Sequence, residues 1–322
     1  VAEPPRLIFT GNVIVDVVLT IDRLPEAGSD TLASSSRLTA GGGFNTMAAA
    51  RRDGLPVTFL GRYGQGPFGA IVHAALGAEG IEAAQPALPD LDSGYCVVLV
   101  DGAAERTFVT WVGAEGRLGR GDLDLAEVRP GDIVYVSGYS LAHPANAAIP
   151  GWLRELPPAA RVITDPSPLV ATLDPATLAE VMGRTDVFSA NAREARHLTG
   201  TGEPGDAAAR LVGSIRPGGF VVVRDGPNGC WLACDNLGRL PVHVPGFTVS
   251  VVDTTGAGDT HCGVLAAALA RGLTPLEAAR RANAAAALAV TRPGPATAPP
   301  AAAIDAFLRD TGGTDGTDGP GA

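Results

Sequence analysis

Runs of apolar, largely β-branched residues recur along the chain: LIFTGNVIVDVVL from residue 7, VTFLGRY from 57, DIVYVSG from 132, RVITDP from 161, FVVVRDG from 220 and FTVSVV from 247. Each is short, nearly continuous and bounded by Gly, Pro or Asp, the pattern of a strand buried on both faces. Between most of them lie Ala-rich stretches with helical spacing, such as NTMAAARRDG, GAIVHAALGAEG and PLEAARRANAAAALAVT. Strand and helix alternating at this interval predict an α/β fold. It is a three-layer sandwich with a mainly parallel central sheet and helices on both faces, and ligands sit at the carboxyl ends of its strands.

Two regions break the alternation. Residues 28–39 (GSDTLASSSRLT) and 93–111 (SGYCVVLVDGAAERTFVTW) carry no helical period, and the second predicts a hairpin turning at Asp101-Gly102. Together they suggest a small β lid on a single domain spanning residues 1–311. The tail, 312–322, is mostly Gly, Thr and Asp with nothing to bury and is expected to be disordered.

At 322 residues and 46% hydrophobic, the chain can bury a substantial core. The formal charge of −10, with no basic stripe, argues against nucleic acid as a partner. All 24 basic residues are Arg, which excludes Schiff-base and P-loop lysine chemistry. Cys96, Cys230, Cys234 and Cys262 show no paired spacing, so free thiols in a reducing compartment are expected. No run of about 18 apolar residues suits a membrane span, and the first residues lack the basic start and apolar core of a signal peptide. A cytoplasmic location follows as an expectation.

The candidate chemistry concentrates in DTTGAGDTHCG, residues 253–263, between FTVSVV and a helix-like run, VLAAALARGL. The small residues Gly256, Ala257 and Gly258 let consecutive backbone N–H groups point at one spot, where the dipole of the following helix adds to them. A static dipole contributes about 0.3–2 kcal/mol, whereas donors aimed at charge developing in a transition state are worth roughly 3–4 kcal/mol each. That contrast favours catalysis over binding alone. Asp259, in the first helical turn, is expected to stay ionised as a weak base able to accept a hydroxyl proton late in phosphoryl transfer. An ordinary helix N-terminal acid is the plainer alternative.

The motif DTTGAGDTHCG resembles the catalytic motif of the ribokinase-like, or PfkB, carbohydrate kinases. The likeness extends through GNVIVD at 11–16, GGGFN at 41–45, NAREARHLTG at 191–200, RDGPNG at 224–229 and AAAALAVTRPGPATAPP in the C-terminal third, which looks most like ribokinase. The resemblance implies an ATP-dependent kinase acting on a hydroxymethyl group of a sugar or sugar-containing molecule. Asp259 would be its general base and Gly256, Ala257 and Gly258 its anion hole. Asp16, Gly41, Gly42 and Asn45 would hold acceptor hydroxyls. Asn191 and Glu194 would organise Mg²⁺ through water, although Asn followed three residues later by Glu is also a helix-capping pattern. Gly226 and Gly229 would lie in the nucleotide loop and Asn283 in the adenine pocket. Asp253, with carbonyls of Thr255, Ala289, Arg292 and Gly294, would hold a monovalent cation such as K⁺. A homodimer through the lid is a further expectation.

Departures from the family pattern bear on the acceptor. Ile14 replaces a common Asn, AGGGFN replaces GGKGAN, and Tyr139 stands where ribokinase has an acidic sugar ligand. These changes suit a more apolar or aromatic-contacting acceptor, such as a nucleoside. Arg224 replaces a hydroxyl residue and is read as a nucleotide-phosphate contact. A non-catalytic sugar- or nucleoside-binding regulator on the same fold is the alternative from another class. The segment GQGPFG, 64–69, is a literal dinucleotide-binding pattern, but Pro67 and the helix after it fit an ordinary turn equally well. His261, beside Asp259, reads as a packing or specificity residue.

Overall fold

The computed structural model describes residues 3–103, 105–235 and 240–312. In chain order its strands are β1 (Leu7–Phe9), β2 (Val13–Thr20), β3 (Ser35–Gly42), β4 (Val57–Phe59), β5 (Glu82–Ala83), β6 (Tyr95–Val100), β7 (Arg106–Trp111), β8 (Ile133–Ser137), β9 (Arg161–Asp165), β10 (Val187–Asn191), β11 (Phe220–Arg224), β12 (Gly229–Cys234) and β13 (Val242–Pro245). The larger sheet runs β13-β12-β11-β10-β9-β8-β1-β4-β5 and the smaller β3-β2-β6-β7. From β11 to β5 every neighbouring pair is parallel. β12 and β13 close the other edge antiparallel.

Successive side chains of the large sheet enter opposite layers. Leu7 and Phe9 face one core with the helices Gly43–Arg52, Ala257–Ala270 and Pro275–Ala289, while Ile8 faces another with Val134, Val136 and Trp152. Because both faces are covered, β8 and β10 need continuous rather than alternating apolar residues. Each such side chain, fully buried, contributes roughly 1.5–3 kcal/mol.

Three local expectations are corrected. LIFTGNVIVDVVL is not one strand: the chain breaks at Gly11 and Asn12, so β1 joins the large sheet and β2 the small one. A Cβ at Gly11 would lie 2.3 Å from the Phe9 ring, so only glycine lets the chain bend there. FTVSVV forms no strand, because the Val252 and Asp253 N–H groups donate to the Val290 carbonyl rather than to a ladder, and Val251 and Val252 stay exposed. GCWLAC and VHVP, not anticipated as strands, form β12 and β13.

The small sheet takes only the last part of the first irregular region, since β3 begins at Ser35, and uses β2 as a central strand. The β6–β7 hairpin turns where predicted: the Asp101 carboxylate accepts the Ala103 and Glu105 N–H groups. Register puts Asp16, Val18, Arg37, Cys96, Val98, Arg106 and Phe108 on one face of this sheet. The helix Ala301–Gly312 reaches the point where the disordered tail was expected to begin, and residues 313–322 lie outside the described residues.

Candidate active site

The helix Ala257–Ala270 starts at Gly256, whose φ of 75° is a left-handed conformation and whose α-carbon is pressed against the Pro295 carbonyl; a Cβ there would lie 2.2 Å from that oxygen. The N–H groups of Gly256, Gly258 and Asp259 have no acceptor among the described residues, whereas that of Ala257 is turned back to the Thr254 carbonyl at 3.2 Å. The turn therefore offers unpaired donors at a helix N-terminus, with Ala257 the exception within the predicted trio.

One turn further along, Gly263 allows the helix Gly43–Arg52 to cross closely: a Cβ at Gly263 would meet the Thr46 carbonyl at 2.3 Å. This contact brings side chains from opposite ends of the sequence together. Asn45 Nδ2 donates to Asp259 Oδ2 at 3.0 Å and Thr46 Oγ1 to Asp259 Oδ1 at 3.3 Å. Asn45 Oδ1 is buried with no partner among the described residues. Burial pushes the Asp259 carboxyl above its ordinary value and nearby Asp165 raises it further, against the Asn45 and Thr46 hydrogen bonds and Arg224. This runs against the expectation of a weak base: burial outweighs the Asn45 and Thr46 hydrogen bonds and Arg224, and the carboxyl is held above its ordinary value.

The other predicted acceptor residues gather around it. Asp16 projects from β2 so that a Cβ at Gly41 would lie 2.1 Å from its Oδ2, and Gly42, at φ 61°, ends β3 and caps the helix bearing Asn45. Burial raises the Asp16 carboxyl to about 6, with the Asp259 charge adding to the effect and Arg37 opposing it. Tyr139 follows β8 on the short helix Gly138–Leu141, 37% exposed. Its phenol is pushed up by burial and then by the negative charges of Asp259 and Asp165.

On the far side of the glycine turn, Asn191 and Glu194 form the reciprocal cap that their spacing allows, joined by three hydrogen bonds. Glu194 is nonetheless buried and faces Arg224 at 3.7 Å. The Arg224 guanidinium also touches Asp165 at 3.0 Å and donates to the Gly258 carbonyl at 3.2 Å, joining the ends of β9 and β11 to the glycine turn. Gly226 and Gly229, at φ 55° and 97°, shape the loop after β11. Asn283 donates to the Val244 and Pro245 carbonyls at 3.0 and 3.1 Å. His261 is buried beside it, and neither ring nitrogen has a hydrogen-bond partner among the described residues. Burial, then Arg224, lowers it to about 3, so it is a neutral imidazole.

The residues predicted to hold a monovalent cation come together in part. The Asp253 carboxylate accepts from Thr255 N–H and Oγ1 and from Gly294 N–H, while the Ala289 carbonyl accepts from Thr297 Oγ1 and Arg292 N–H. Burial, which raises the Asp253 carboxyl, is outweighed by these hydrogen bonds and by Arg106, and the group is held well below the usual carboxylate range.

Sequence reasoning missed Thr46, Asp165, Arg37 and Arg106. Asp165 had a readable signal, a carboxylate ending an apolar run before proline at the ligand-binding edge of a parallel sheet. The helix after GQGPFG has its N-terminus filled from within, since Asp92 accepts the Phe68 and Gly69 N–H groups, which leaves no opening for a pyrophosphate.

Residues 5–302 match the pfkB family of carbohydrate kinases. The chain belongs to that family. It is 30% identical over 297 residues to an uncharacterized sugar kinase, YegV, of Escherichia coli, covering 91% of each chain. It is 30% identical to the ATP-dependent ribose-1-phosphate kinase of Halopiger xanaduensis, over 95% of this chain and 98% of that one. Its fold superposes on Arabidopsis thaliana ribokinase complexed with ribose and ATP, with a TM-score of 0.76, 25% identity and coverage of 96% and 99%. As a member it is a phosphotransferase with an alcohol acceptor, of the sugar or nucleoside kinase class. No helix among the described residues is long and apolar enough to cross a membrane.

Proposed function

We propose that this chain transfers the γ-phosphoryl group of ATP to a hydroxymethyl group of a sugar or sugar-containing small molecule, with Asp259 as general base. The observation that carries this reading is the Asn45–Asp259 pair. Asn45 spends its amide N–H on the carboxylate and keeps a buried oxygen free, so one hydroxyl of a polyol acceptor can donate to that oxygen while the hydroxymethyl group presents its own proton to Asp259. The acceptor oxygen attacks the γ-phosphorus and its proton passes to Asp259. The bond from that phosphorus to the β,γ-bridging oxygen breaks, and ADP leaves. The free amides of Gly256 and Gly258 meet the charge on the moving phosphoryl group.

Asp16, Gly41 and Gly42 orient the acceptor, and Asn191, Arg224, Gly226, Gly229 and Asn283 serve the nucleotide. Glu194 and Asp165 would hold Mg²⁺ through its waters, since Arg224 already faces both carboxylates. The small sheet acts as a lid that excludes water from the transfer, and pairing of lids in a homodimer is part of this reading.

A nucleoside acceptor is the second reading, favoured by the Tyr139 ring at the site. The test is ADP release from ATP and Mg²⁺ across a panel of free sugars, sugar phosphates and nucleosides. Turnover with one class assigns the acceptor. Tight binding of a sugar or nucleoside without any turnover would replace the enzyme by a non-catalytic binding protein.

A further inference from the structure

Asp253 lies three residues before the glycine turn and braces both segments that shape it. One carboxylate oxygen takes the Thr255 N–H at 2.9 Å and hydroxyl at 2.7 Å, and the other takes the Gly294 N–H at 3.0 Å, next to the Pro295 carbonyl on which Gly256 rests. The first oxygen also receives Arg106 from the small sheet, 147 positions away in sequence, at 2.7 Å. A second guanidinium of that sheet, Arg37, approaches the same place, 3.3 Å from where a Cβ on Gly294 would stand. Positive charge is thus already seated on the carboxylate that the resemblance gives to K⁺.

The fit to a monovalent cation is poor for physical reasons. A cation bound at Asp253 would lie within a few ångströms of Arg106, and like charges about 4 Å apart repel by roughly 4 kcal/mol at the effective dielectric of a protein surface. Such an ion also gathers several oxygen lone pairs. Here four donors already occupy the Asp253 carboxylate, and the Ala289 carbonyl accepts two more.

We infer that Arg106 takes the place of a monovalent cation in this enzyme, so that the charge bracing the anion-binding turn is carried by the lid itself. Arg106 is a positioning residue in this account. It touches neither acceptor nor nucleotide but holds, through Asp253, the loop whose amides do. Two consequences follow. Turnover does not require K⁺, and lid position and turn geometry are coupled, because opening the lid withdraws the guanidinium from Asp253.

The inference rests on the kinase reading for its effect on turnover but not for its effect on stability, so the experiment has two arms. Melting temperature and ADP release, the latter with whichever acceptor turns over best in the panel, are measured for wild type, R106Q and R106K. Each protein is measured in KCl and in tetramethylammonium chloride of equal concentration.

Wild type is expected to differ less than about twofold in rate between the salts and to melt at the same temperature in both. R106Q is expected to lose roughly tenfold in rate in tetramethylammonium chloride and to recover much of it in KCl. KCl should also raise its melting temperature by at least about 2 °C. R106K, which keeps the charge, is expected to behave like wild type, separating charge from packing.

A wild type that needs K⁺, or an R106Q that matches wild type in both salts, overturns the inference. Should R106Q fail to fold, the wild-type salt comparison decides alone. Should no acceptor turn over, the kinase reading fails while the melting arm still tests Arg106.

Discussion

The two sheets solve opposite problems. In the large sheet Phe188 of β10 is fully buried, packed between helices, and the polar groups that matter stand at the strand ends, where Arg224 joins Asp165 to the glycine turn. In the small sheet Phe108 of β7 is 61% exposed, Leu38 and Val109 are also exposed, and the groups that matter, Asp16 and Arg106, lie along one face. The first is a scaffold that fixes Asp259 by close packing. The second holds its residues with fewer buried contacts, which suits the lid role proposed for it.

The sharpest test of that contrast pairs two substitutions. Phe188→Ala should cost about 3–5 kcal/mol in denaturant unfolding, because it opens a cavity in a core with no room to collapse. Phe108→Ala should stay within about 0.5 kcal/mol of wild type. Similar losses at both sites would mean that the small sheet is as tightly integrated as the large one.

A smaller effect is expected at the joint between scaffold and site. Gly263→Ala puts a methyl 2.3 Å from the Thr46 carbonyl, so the two helices must separate. A loss of about 1–3 kcal/mol is expected, and turnover should fall further than stability alone explains, because Asn45 and Thr46 move away from Asp259. A variant that is destabilised but has normal turnover per folded molecule would uncouple that crossing from the site.

The smallest change is a pH effect on the small sheet. With its pKa raised to about 6, Asp16 binds its proton more tightly folded than unfolded. Its contribution to stability is therefore present below the unfolded carboxylate range and lost as pH rises through about 6. Activity should run the other way if, as proposed, the ionised carboxylate holds acceptor hydroxyls: kcat/KM for the acceptor should fall below about pH 6. Asp16→Asn should abolish that dependence and gain melting temperature over wild type at pH 8 relative to pH 5. A constant difference between the two proteins across that range would remove Asp16 from this role.

What the sequence made legible follows the same division. Strands buried on both faces announce themselves as continuous apolar runs, so β8, β9 and β11 were readable, and the glycine turn was readable because few other residues tolerate its backbone. FTVSVV misled because β-branched composition looks the same whether the backbone joins a ladder or, as here, caps a neighbouring helix through the Val290 carbonyl. The Asp16, Asn45 and Asp259 grouping was reached through family resemblance, not spacing, since only the helix crossing at Gly263 brings them together. Arg106 carried no signal at all. An exposed arginine beside a hairpin turn is unremarkable in sequence, and its partner lies 147 positions away. The raised pKa of Asp259 was missed for a related reason: a helix N-terminus is visible in sequence, while the burial of the carboxyl is not.

The central claim is that Asp259 receives the proton of the acceptor hydroxyl while the neighbouring amides hold the phosphoryl group. Single-turnover transfer from ATP, measured beside equilibrium binding of acceptor and nucleotide for wild type and Asp259→Asn, tests it most directly. The account predicts binding of both ligands within a few-fold of wild type and a transfer rate at least about 10²-fold lower. Transfer at the wild-type rate by Asp259→Asn would contradict it.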